Sequence, residues 1–434
     1  MTPIEIGIGG IALLLVVVFA GVPVGLAMAI VGFFGILYQT NEVAAFQSIA
    51  STFYERFASY DLTVIPSFIL MGLIMFKSGV GRSLFAAANA WMGHLPGGLA
   101  MAAIAACAGF AAISGSAIAT AATIGAVALP EMLKRDYPKS LAAGAIAAGG
   151  TLGILIPPSV TLIIYGILVN ESISELFIAG VVPGLLLTLF FCTAIFIVEA
   201  HRRRALTSDQ PRASWRERLR SLSGIWDTTI LFIFVIGGMF AGVFTPNEAG
   251  AAGAMGALAL GLIRRSLNWS GLKEALGETA QTSAMVIFIV FGAAVFSTFL
   301  TLTRIPFTLA DTIATQGWPN IVVLGVIIAV YVIGGMVMEI LPLIIVTAPI
   351  FAPVITSLGY DLVWFGILIV LLGQLGMISP PVGINVFVVS SLRPDLDLTT
   401  VFRGVIPFIV AIVALVALLV AFPALATFLV EMSR

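Results

Sequence analysis

Charged residues are scarce in this chain. Asp, Glu, Lys and Arg together make up 9% of its 434 residues, whereas hydrophobic residues make up 60% and the mean hydropathy is +1.15. A soluble domain carries about 25% charged residues. The composition therefore excludes a freely soluble protein and predicts one that is embedded in a lipid bilayer.

Residues that carry covalent or metal chemistry are also few. Cys107 and Cys192 lie in apolar stretches and form no CxxC motif, and His94 and His201 lack metal-ligand spacing. No phosphate-binding GxxxxGK[ST] loop occurs. The sequence thus disfavours a disulfide-stabilised protein, a metalloenzyme and an ATPase. The arginine-rich stretch 202–220 lies between apolar segments, so we expect it to orient the chain rather than to bind nucleic acid.

Long apolar runs dominate the sequence, at 4–20, 176–198, 230–244 and 405–422. About 20 apolar residues in a helix cross the hydrocarbon layer, and these runs approach or exceed that length. They do not alternate apolar with polar residues, as the strands of a membrane barrel would. The predicted fold is an all-α, multi-span membrane protein.

The two halves of the chain repeat each other at one constant offset, the one that places Pro23 on Pro246. Chance predicts about half a proline match at one offset. Five matches occur, since Pro23, Pro96, Pro130, Pro157 and Pro158 align with Pro246, Pro319, Pro353, Pro380 and Pro381. The segment GTLGILIPP (150–158) also aligns with GQLGMISPP (373–381). Paired helix breaks in two halves of a membrane protein indicate the binding site of a transporter.

Positive charge predicts that the two repeats are inverted. Placing the basic linker 201–226 in the cytoplasm leaves only Arg56, Arg304 and Arg434 of the 20 basic residues outside. Both termini are then periplasmic. We expect two repeats, 1–200 and 227–434, each with about five transmembrane helices and one re-entrant helical hairpin.

The hairpins are predicted at 99–131 and 320–356. The first turns at Ser114-Gly115-Ser116, and the second turns within 334–339. Beside them, the proline pairs 157–158 and 380–381 interrupt two helices, because proline removes a backbone donor and displaces the carbonyl four residues earlier. Non-helical backbone at membrane depth is tolerated where it lines a cavity, so two tips and two breaks predict one. The alternative is that the prolines only kink helices.

Oxygen ligands for a small cation cluster at these features. Carbonyls freed near Gly153 and Gly376 are hard ligands suited to sodium. The hydroxyls that would add to them belong to Ser114, Ser116, Ser159 and Ser379. Alternatively, these serines satisfy backbone groups that the breaks release.

Glu339 is the most informative carboxylate, because it lies in the apolar context YVIGGMVMEILPLIIV. An ionisable group at that depth indicates binding or gating, and the alternative is a cap or hydrogen-bond partner for the hairpin tip. The first hairpin has no carboxylate between Leu99 and Pro130, which favours sodium over proton coupling. In TPNEAG we expect Glu248 to stabilise a helix start, with Asn247 as its cap.

Five ordered motifs resemble the large membrane subunit of the tripartite ATP-independent periplasmic (TRAP) transporters over nearly the whole chain. They are SGSAIATAATIGAVALPEM (114–132), GTLGILIPPSVTLIIYG (150–166), FTPNEAGAAG (244–253), GGMVMEILPLIIVTAPIFAPV (334–354) and GMISPPVGINVFVV (376–389). The resemblance implies a bacterial inner-membrane protein with a scaffold domain and an elevator-like transport domain. It further implies sodium-driven uptake of organic anions such as C4-dicarboxylates, keto acids or sialic acids. The implied partners are a separate four-helix membrane subunit and a periplasmic binding protein.

The resemblance also implies site residues. The sodium ligands carried over are Ser114, Ser116, Gly153, Ile156, Pro158, Gly335, Gly376, Ser379 and Pro381. The residues expected to contact or gate the substrate are Ser116, Thr120, Ser159, Glu339 and Asn385. Family members often have Asp where this chain has Glu339.

Two other function classes remain open at this stage. A stand-alone sodium:anion symporter shares every physical feature above, and transport without a binding protein would reveal it. A non-transporting membrane enzyme or scaffold lacks a nucleophile-base pair and does not explain the paired breaks. The segments 42–60 and 268–281 mix charged and apolar residues, and we expect them to lie along the interfaces as scaffold arms.

Overall fold

The computed structural model describes residues 2–201 and 212–433. Its first half consists of ten helices, with 3-10 turns at Tyr60–Thr63 and Leu152–Ile154. These helices are α1 (Pro3–Phe19), α2 (Val24–Gln39), α3 (Glu42–Phe57), α4 (Val64–Lys77), α5 (Val80–Met92), α6 (Gly98–Ser114), α7 (Ala117–Leu133), α8 (Lys139–Thr151), α9 (Val160–Val169) and α10 (Ile173–His201).

The second half follows the same plan, with a π-helical turn at Ile233–Gly237. Its helices are α11 (Trp215–Leu222), α12 (Trp226–Phe232), α13 (Gly238–Phe240), α14 (Pro246–Ile263), α15 (Trp269–Thr303), α16 (Ile305–Gln316), α17 (Asn320–Val337), α18 (Ile340–Ser357), α19 (Leu362–Ile378), α20 (Ile384–Ser391), α21 (Leu398–Ala421) and α22 (Ala424–Ser433).

Within the described ranges, six helical segments are long and apolar enough to cross a membrane. They are Tyr60–Lys77, Ile173–His201, Trp269–Thr303, Asn320–Val337, Ile340–Ser357 and Leu398–Ala421. Shorter apolar helices pack among them, and no strand occurs in the described part of the chain. The all-α, multi-span fold predicted from the apolar runs is confirmed.

Helix boundaries repeat at the offset of the prolines. The start of α18 corresponds to the start of α7 at this offset, and the start of α19 corresponds to that of α8. The starts of α9 and α20, which end the two breaks, depart from it by a single position. The inverted orientation of the halves and their division into scaffold and transport domains stay predictions.

The two predicted arms differ in structure, and their position along the membrane interfaces stays a prediction. Residues 42–57 form the separate helix α3, whereas 268–281 supply the cap and first turns of the 35-residue helix α15. Proline explains the difference, because Pro66 near the start of α4 prevents an unbroken helix from running through the first half. The corresponding residue of the second half is Ile289, which continues the helix.

Thr245, rather than Asn247, caps α14. The Thr245 Oγ1 atom accepts a hydrogen bond from the Glu248 backbone N (3.3 Å), and the Glu248 carboxylate accepts one from the Thr245 backbone N (2.9 Å). Pro246 favours the first helical position, so the cap lies one residue before it. Asn247 instead donates from Nδ2 to the carbonyl oxygen of Tyr60 (2.9 Å). The prediction for Glu248 is confirmed and the one for Asn247 is wrong.

Helices of the first half pack against helices of the second half. The helix α2 of the first half packs on α15 of the second, and α14 packs on α4. Close approach depends on small residues, since a Cβ atom at Gly25 would lie 3.0 Å from the Ile289 Cα, and one at Gly144 would meet the backbone of Gly404. The missing side chains of Gly25 and Gly144 therefore allow the helices of the two halves to pack closely.

The predicted cytoplasmic linker 201–226 is described in part. Residues 202–211, like both chain ends, lie outside the described residues, so the predicted positions of the termini rest on charge alone. The remainder contains α11, which packs against α5. The Arg218 guanidinium lies beside the rings of Trp91 and Trp215, 5.8 and 5.5 Å from their centroids.

Candidate functional site

The tip of the first hairpin lies where the sequence predicts it. The helix α6 ends at Ser114, and Gly115 follows with a φ of +60°, a left-handed conformation that glycine adopts without strain. Ser116 then caps α7, because its Oγ accepts a hydrogen bond from the Ala119 backbone N (3.3 Å). The tip is therefore a single non-helical step with its hydroxyls at the turn.

The tip of the second hairpin is formed by Met338 and Glu339, between α17 and α18. Glu339 has the extended backbone of an N-cap residue, and the repeat offset places it on Ser116 of the first tip. Its carboxylate makes no capping hydrogen bond to α18. The structural alternative for Glu339, a cap on the hairpin, is therefore wrong.

Both proline pairs interrupt helices as predicted. The helix α8 stops at Thr151 and α9 starts at Val160, while α19 stops at Ile378 and α20 starts at Ile384. The Pro157-Pro158 and Pro380-Pro381 peptide bonds are both cis.

Serines satisfy backbone groups at both breaks. The Ser159 Oγ donates to the carbonyl oxygen of Ile154 (2.6 Å) and accepts a hydrogen bond from the Leu162 backbone N (3.3 Å). At the second break, the Ser379 Oγ donates to the carbonyl oxygen of Leu375 (2.7 Å). Both hydroxyls therefore have the structural role that was weighed against ion binding, although each oxygen keeps lone pairs for a cation.

The first tip touches the first break backbone to backbone. A Cβ atom at Gly153 would overlap the carbonyl group of Ser116, and one at Gly115 would lie 2.8 Å from the carbonyl oxygen of Pro158. The Ser114 Oγ lies 2.9 Å from the Thr120 Oγ1. The Thr120 hydroxyl also donates a hydrogen bond to the carbonyl oxygen of Ser116 (2.7 Å). Oxygen atoms from the tip and the break thus gather in a space that only glycine leaves open.

The second tip meets the second break in the same way. A Cβ atom at Gly376 would overlap the backbone of Gly335. The Val382 backbone N, just after the proline pair, donates to the carbonyl oxygen of Met336 (3.4 Å). The predicted pairing of each tip with a broken helix is therefore present at both positions.

A cavity of about 220 Å³ lies between the two tips. The first tip contributes Ser114 to Ala119 to its lining, and the second contributes Glu339, Ile340 and Leu341. Thr161 after the first break and Met377 before the second complete this wall. One cavity therefore joins both hairpins and both breaks, and Glu339 is the only carboxylate among its described lining residues.

Some of the predicted site residues line the cavity, and others are buried without lining it. Ser114, Ser116 and Glu339 line the cavity. Thr120, Ser159 and Asn385 are fully buried behind it. Asn385 donates from Nδ2 to the carbonyl oxygen of Ala147 (3.1 Å), which ties α20 to α8, and its Oδ1 has no partner among the described residues.

The opposite wall of the cavity could not be found from motifs. It consists of Ile69, Gly72, Leu73 and Phe76 on α4 and of Thr282, Met285 and Val286 on α15. Sequence reasoning also missed Gln374, which is fully buried on α19, with neither amide atom hydrogen-bonded to a described residue. A lone amide in the apolar run LVWFGILIVLLGQLGMI was the signal.

The donor set fits a small hard cation better than a transition metal. Hydroxyl and carbonyl oxygens surround both tip–break contacts, and such ligands suit hard cations. Among the described residues, no three His, Cys, Asp or Glu side chains form a metal-binding group. Asn385 Oδ1, which lacks a partner, is a further oxygen near the two breaks.

Comparisons with known proteins agree with this architecture. Residues 11–425 match the model of the family described as "Tripartite ATP-independent periplasmic transporter, DctM component". The chain is 38% identical over 380 residues to the C4-dicarboxylate TRAP transporter large permease protein DctM of Pseudomonas aeruginosa, covering 87% of this chain and 88% of that protein. It is 34% identical over 418 residues to the sialic acid TRAP transporter large permease protein SiaM of Vibrio cholerae, covering 95% and 96%.

A solved structure shares the fold. The crystal structure of the Alcanivorax borkumensis YdaH transporter superposes with a TM-score of 0.61 at 13% identity, covering 88% of this chain and 89% of that one. At this identity the likeness concerns the fold alone. The match to the family model covers nearly the whole chain, so it also shows the kind of protein. The members of this family are transporter permeases rather than enzymes. The chain belongs to the DctM family, the large permease subunits of the tripartite ATP-independent periplasmic transporters.

Proposed function

We propose that this chain is the large permease subunit of a sodium-driven importer of small organic anions in the bacterial inner membrane. The observation that carries the proposal is the single cavity into which both hairpin tips and both broken helices converge. The names of two relatives, which specify a C4-dicarboxylate and sialic acid, support the class of organic anions.

The tip–break contacts support sodium coupling. In the first half, the oxygens of Ser114, Ser116, Gly153, Ile156 and Pro158 would hold one ion. In the second half, Gly335, Gly376, Ser379 and Pro381 would hold another. An ion that ties a tip to a break orders the cavity wall, so it raises the affinity for the anion, and by linkage the anion raises the affinity for sodium equally.

The anion would bind between the tips. The N-terminus of α7 opens on the cavity through Ser116 and Ala119, and the positive end of a helix dipole favours a carboxylate. Thr120, Ser159 and Asn385 support the cavity from behind. Glu339, with no capping bond, would select the protonation and hydrogen-bonding pattern of the substrate and close the second tip over it.

Alternating access would then move the hairpins and broken helices against the α2–α15 and α4–α14 pairs. The membership in the TRAP family supports two partners, a small four-helix membrane subunit and a periplasmic binding protein that delivers the anion. A stand-alone sodium:anion symporter is the alternative, and it differs in needing no binding protein.

Uptake by the reconstituted transporter tests the proposal. Proteoliposomes containing this chain and its small subunit receive a binding protein loaded with radiolabelled succinate or N-acetylneuraminate. We expect uptake under an inward sodium gradient and none under potassium or choline gradients. The Glu339→Gln variant should lower the rate about tenfold or more, the effect of losing one charged hydrogen-bonding group.

Each other result has a definite meaning. Uptake driven by a proton gradient without sodium would overturn the sodium assignment. Equal uptake of free anion without the binding protein would establish the stand-alone alternative. Failure with both anions under a sodium gradient, while the subunits remain assembled, would exclude these two substrates.

A further inference from the structure

A second cavity lies below the first hairpin and has a volume of about 590 Å³. It is bounded by the turn between α4 and α5, by Ser266, and by four residues of α7, which are Ala122, Thr123, Ala126 and Val127. Ser266 follows Arg264 and Arg265 in the loop between α14 and α15, which positive charge places in the cytoplasm. The second cavity therefore lies on the predicted cytoplasmic side of the hairpin.

One residue of the described lining is common to the two cavities. Phe76, in the last turn of α4, lines both the cavity between the tips and the cavity below the hairpin. Its ring packs edge-on against Phe110 of α6, with the centroids 6.4 Å apart. Rotation of this one ring, or a shift of the hairpin past it, would join the two spaces.

Two cations line the lower cavity, and they are not equivalent. The Lys77 Nζ is held by two carboxylates of α15, Glu278 at 2.8 Å and Glu274 at 3.0 Å, so its charge is more than neutralised. Arg82 is exposed, and its guanidinium makes no ion pair or hydrogen bond with residues 2–201 and 212–433. Arg82 is thus the cation that this cavity offers to an anion.

The hydroxyl groups of the cavity do not compete for that role. The Ser78 Oγ donates to the carbonyl oxygen of Ile74 (2.8 Å), and the Thr123 Oγ1 donates to that of Ala119 (2.6 Å). Both protons are used within their own helices, and the Ser266 Oγ donates to the carbonyl oxygen of Gly261 (3.5 Å). A carboxylate that enters the cavity therefore finds the planar guanidinium of Arg82 as its strongest donor.

We propose that the lower cavity is a release vestibule and that Arg82 binds the carboxylate of the departing anion. This inference rests on the proposed transport of organic anions. The Arg82 guanidinium, which pairs with no carboxylate of the described residues, can hold a carboxylate through two parallel hydrogen bonds. Arg82 would draw the substrate past Phe76, and its exposure to water would let the anion leave.

The test uses the same proteoliposomes with Arg82→Glu, Arg82→Gln and Arg82→Lys. We expect the maximal uptake rate to fall about tenfold in Arg82→Glu, less in Arg82→Gln, and to recover in Arg82→Lys. The sodium concentration for half-maximal uptake should not change. Arg220→Glu is the matched control, because it makes the same charge change at an exposed site on α11, and it should leave uptake unchanged.

Product inhibition distinguishes release from a structural effect. Succinate loaded inside the vesicles should inhibit uptake by the wild type. The Arg82→Gln variant should require an internal succinate concentration about tenfold higher for the same inhibition. If Arg82→Glu matches the wild type in both rate and inhibition, the vestibule is overturned while the proposed function stays intact. Absence of uptake in the wild type would instead overturn the proposed function. Loss of uptake in Arg82→Lys as well would overturn the role as an anion ligand.

Discussion

At the scale of single residues, four glycines bring the hairpins onto the broken helices. Gly115 and Gly153 form the first contact, and Gly335 and Gly376 form the second. Gly153 and Gly376 lack a positive φ, and a Cβ atom at either would overlap backbone atoms, so their requirement comes from space rather than from backbone conformation. A Cβ atom at Gly335 would make only ordinary contacts, the shortest 3.4 Å from the Gly376 Cα. The absence of a Cβ atom lets carbonyl oxygens from the tip and the break approach one another.

Replacing Gly376 by alanine should separate the second tip from its break. The new methyl group would overlap the backbone of Gly335, which cannot move as freely as a side chain. A site filled at about 100 times its dissociation constant stabilises the folded state by about 2.7 kcal/mol. We expect the wild type to show a higher Tm in sodium chloride than in choline chloride, and Gly376→Ala to lose most of this difference.

Gly325→Ala is the matched control in the same hairpin. A Cβ atom there would meet nothing within 4 Å, and alanine is about 1 kcal/mol more favourable than glycine inside a helix. Its Tm should stay or rise, with the sodium effect intact. A full sodium effect in Gly376→Ala would show that the second contact does not hold an ion.

At the scale of elements, corresponding turns have different chemistry. Ser116 and Glu339 occupy equivalent positions before α7 and α18, yet only Ser116 caps its helix. The first tip is thus satisfied within itself, whereas the second presents an uncommitted carboxylate to the cavity. Two tips with the same backbone position can therefore differ in role, because one side chain caps a helix and the other lines the cavity.

An exposed ion pair joins elements from the two halves and predicts a pH effect. The Asp395 carboxylate, between α20 and α21, pairs with the Lys139 Nζ (2.9 Å) at the start of α8 and the Arg393 Nε (2.8 Å). Hydrogen bonds to Lys139 and Arg393 lower the pKa of Asp395 to about 2. A lowered carboxyl pKa stabilises the fold above the unfolded pKa, and this contribution is lost as the pH falls through the folded value.

Asp395→Asn should therefore lower the Tm slightly at pH 7 and have little effect once the pH is below about 2. The difference from wild type should shrink between the ordinary aspartate pKa of 3.8 and about 2. Thermal unfolding in detergent across this range measures it. The effect should also weaken in high salt, because the pair is exposed to solvent. A difference in Tm that does not change with pH would contradict the assignment.

At the scale of the whole molecule, helices of one half pack against helices of the other, and the helices around the cavity form two groups. The α2–α15 and α4–α14 pairs lie on one side of the cavity, and the hairpins with the broken helices lie on the other. If the second group moves as a body during transport, a link across the cavity will stop the cycle.

Cross-linking tests this motion. In a chain with Cys107 and Cys192 changed to alanine, cysteines replace Thr282 on α15 and Ile118 on α7, which line opposite walls of the cavity. A bifunctional thiol reagent should abolish uptake in this pair. The control pair replaces Thr282 and Leu73, which line the same wall, and its cross-link should leave uptake intact. Uptake that survives the first cross-link would exclude relative motion of the two walls.

The sequence by itself determined the features that depend on local chemistry. Proline removes a donor wherever it occurs, so the paired breaks and their spacing could be predicted from the chain alone. Serine and glycine between two small-residue helices likewise indicate a turn, and both hairpin tips were predicted within a few residues. Polar residues in apolar runs pointed to Glu339, but the same signal at Gln374 was overlooked.

Only the tertiary structure decided which of these features meet. The wall formed by α4 and α15 has no motif, because apolar residues at a cavity look like those in any membrane helix. Arg82 and Phe76 gain their meaning from a cavity that joins residues 76 and 266, far apart in the chain. Contacts between distant segments depend on how whole helices pack, and that packing is set by many weak interactions rather than by any one residue.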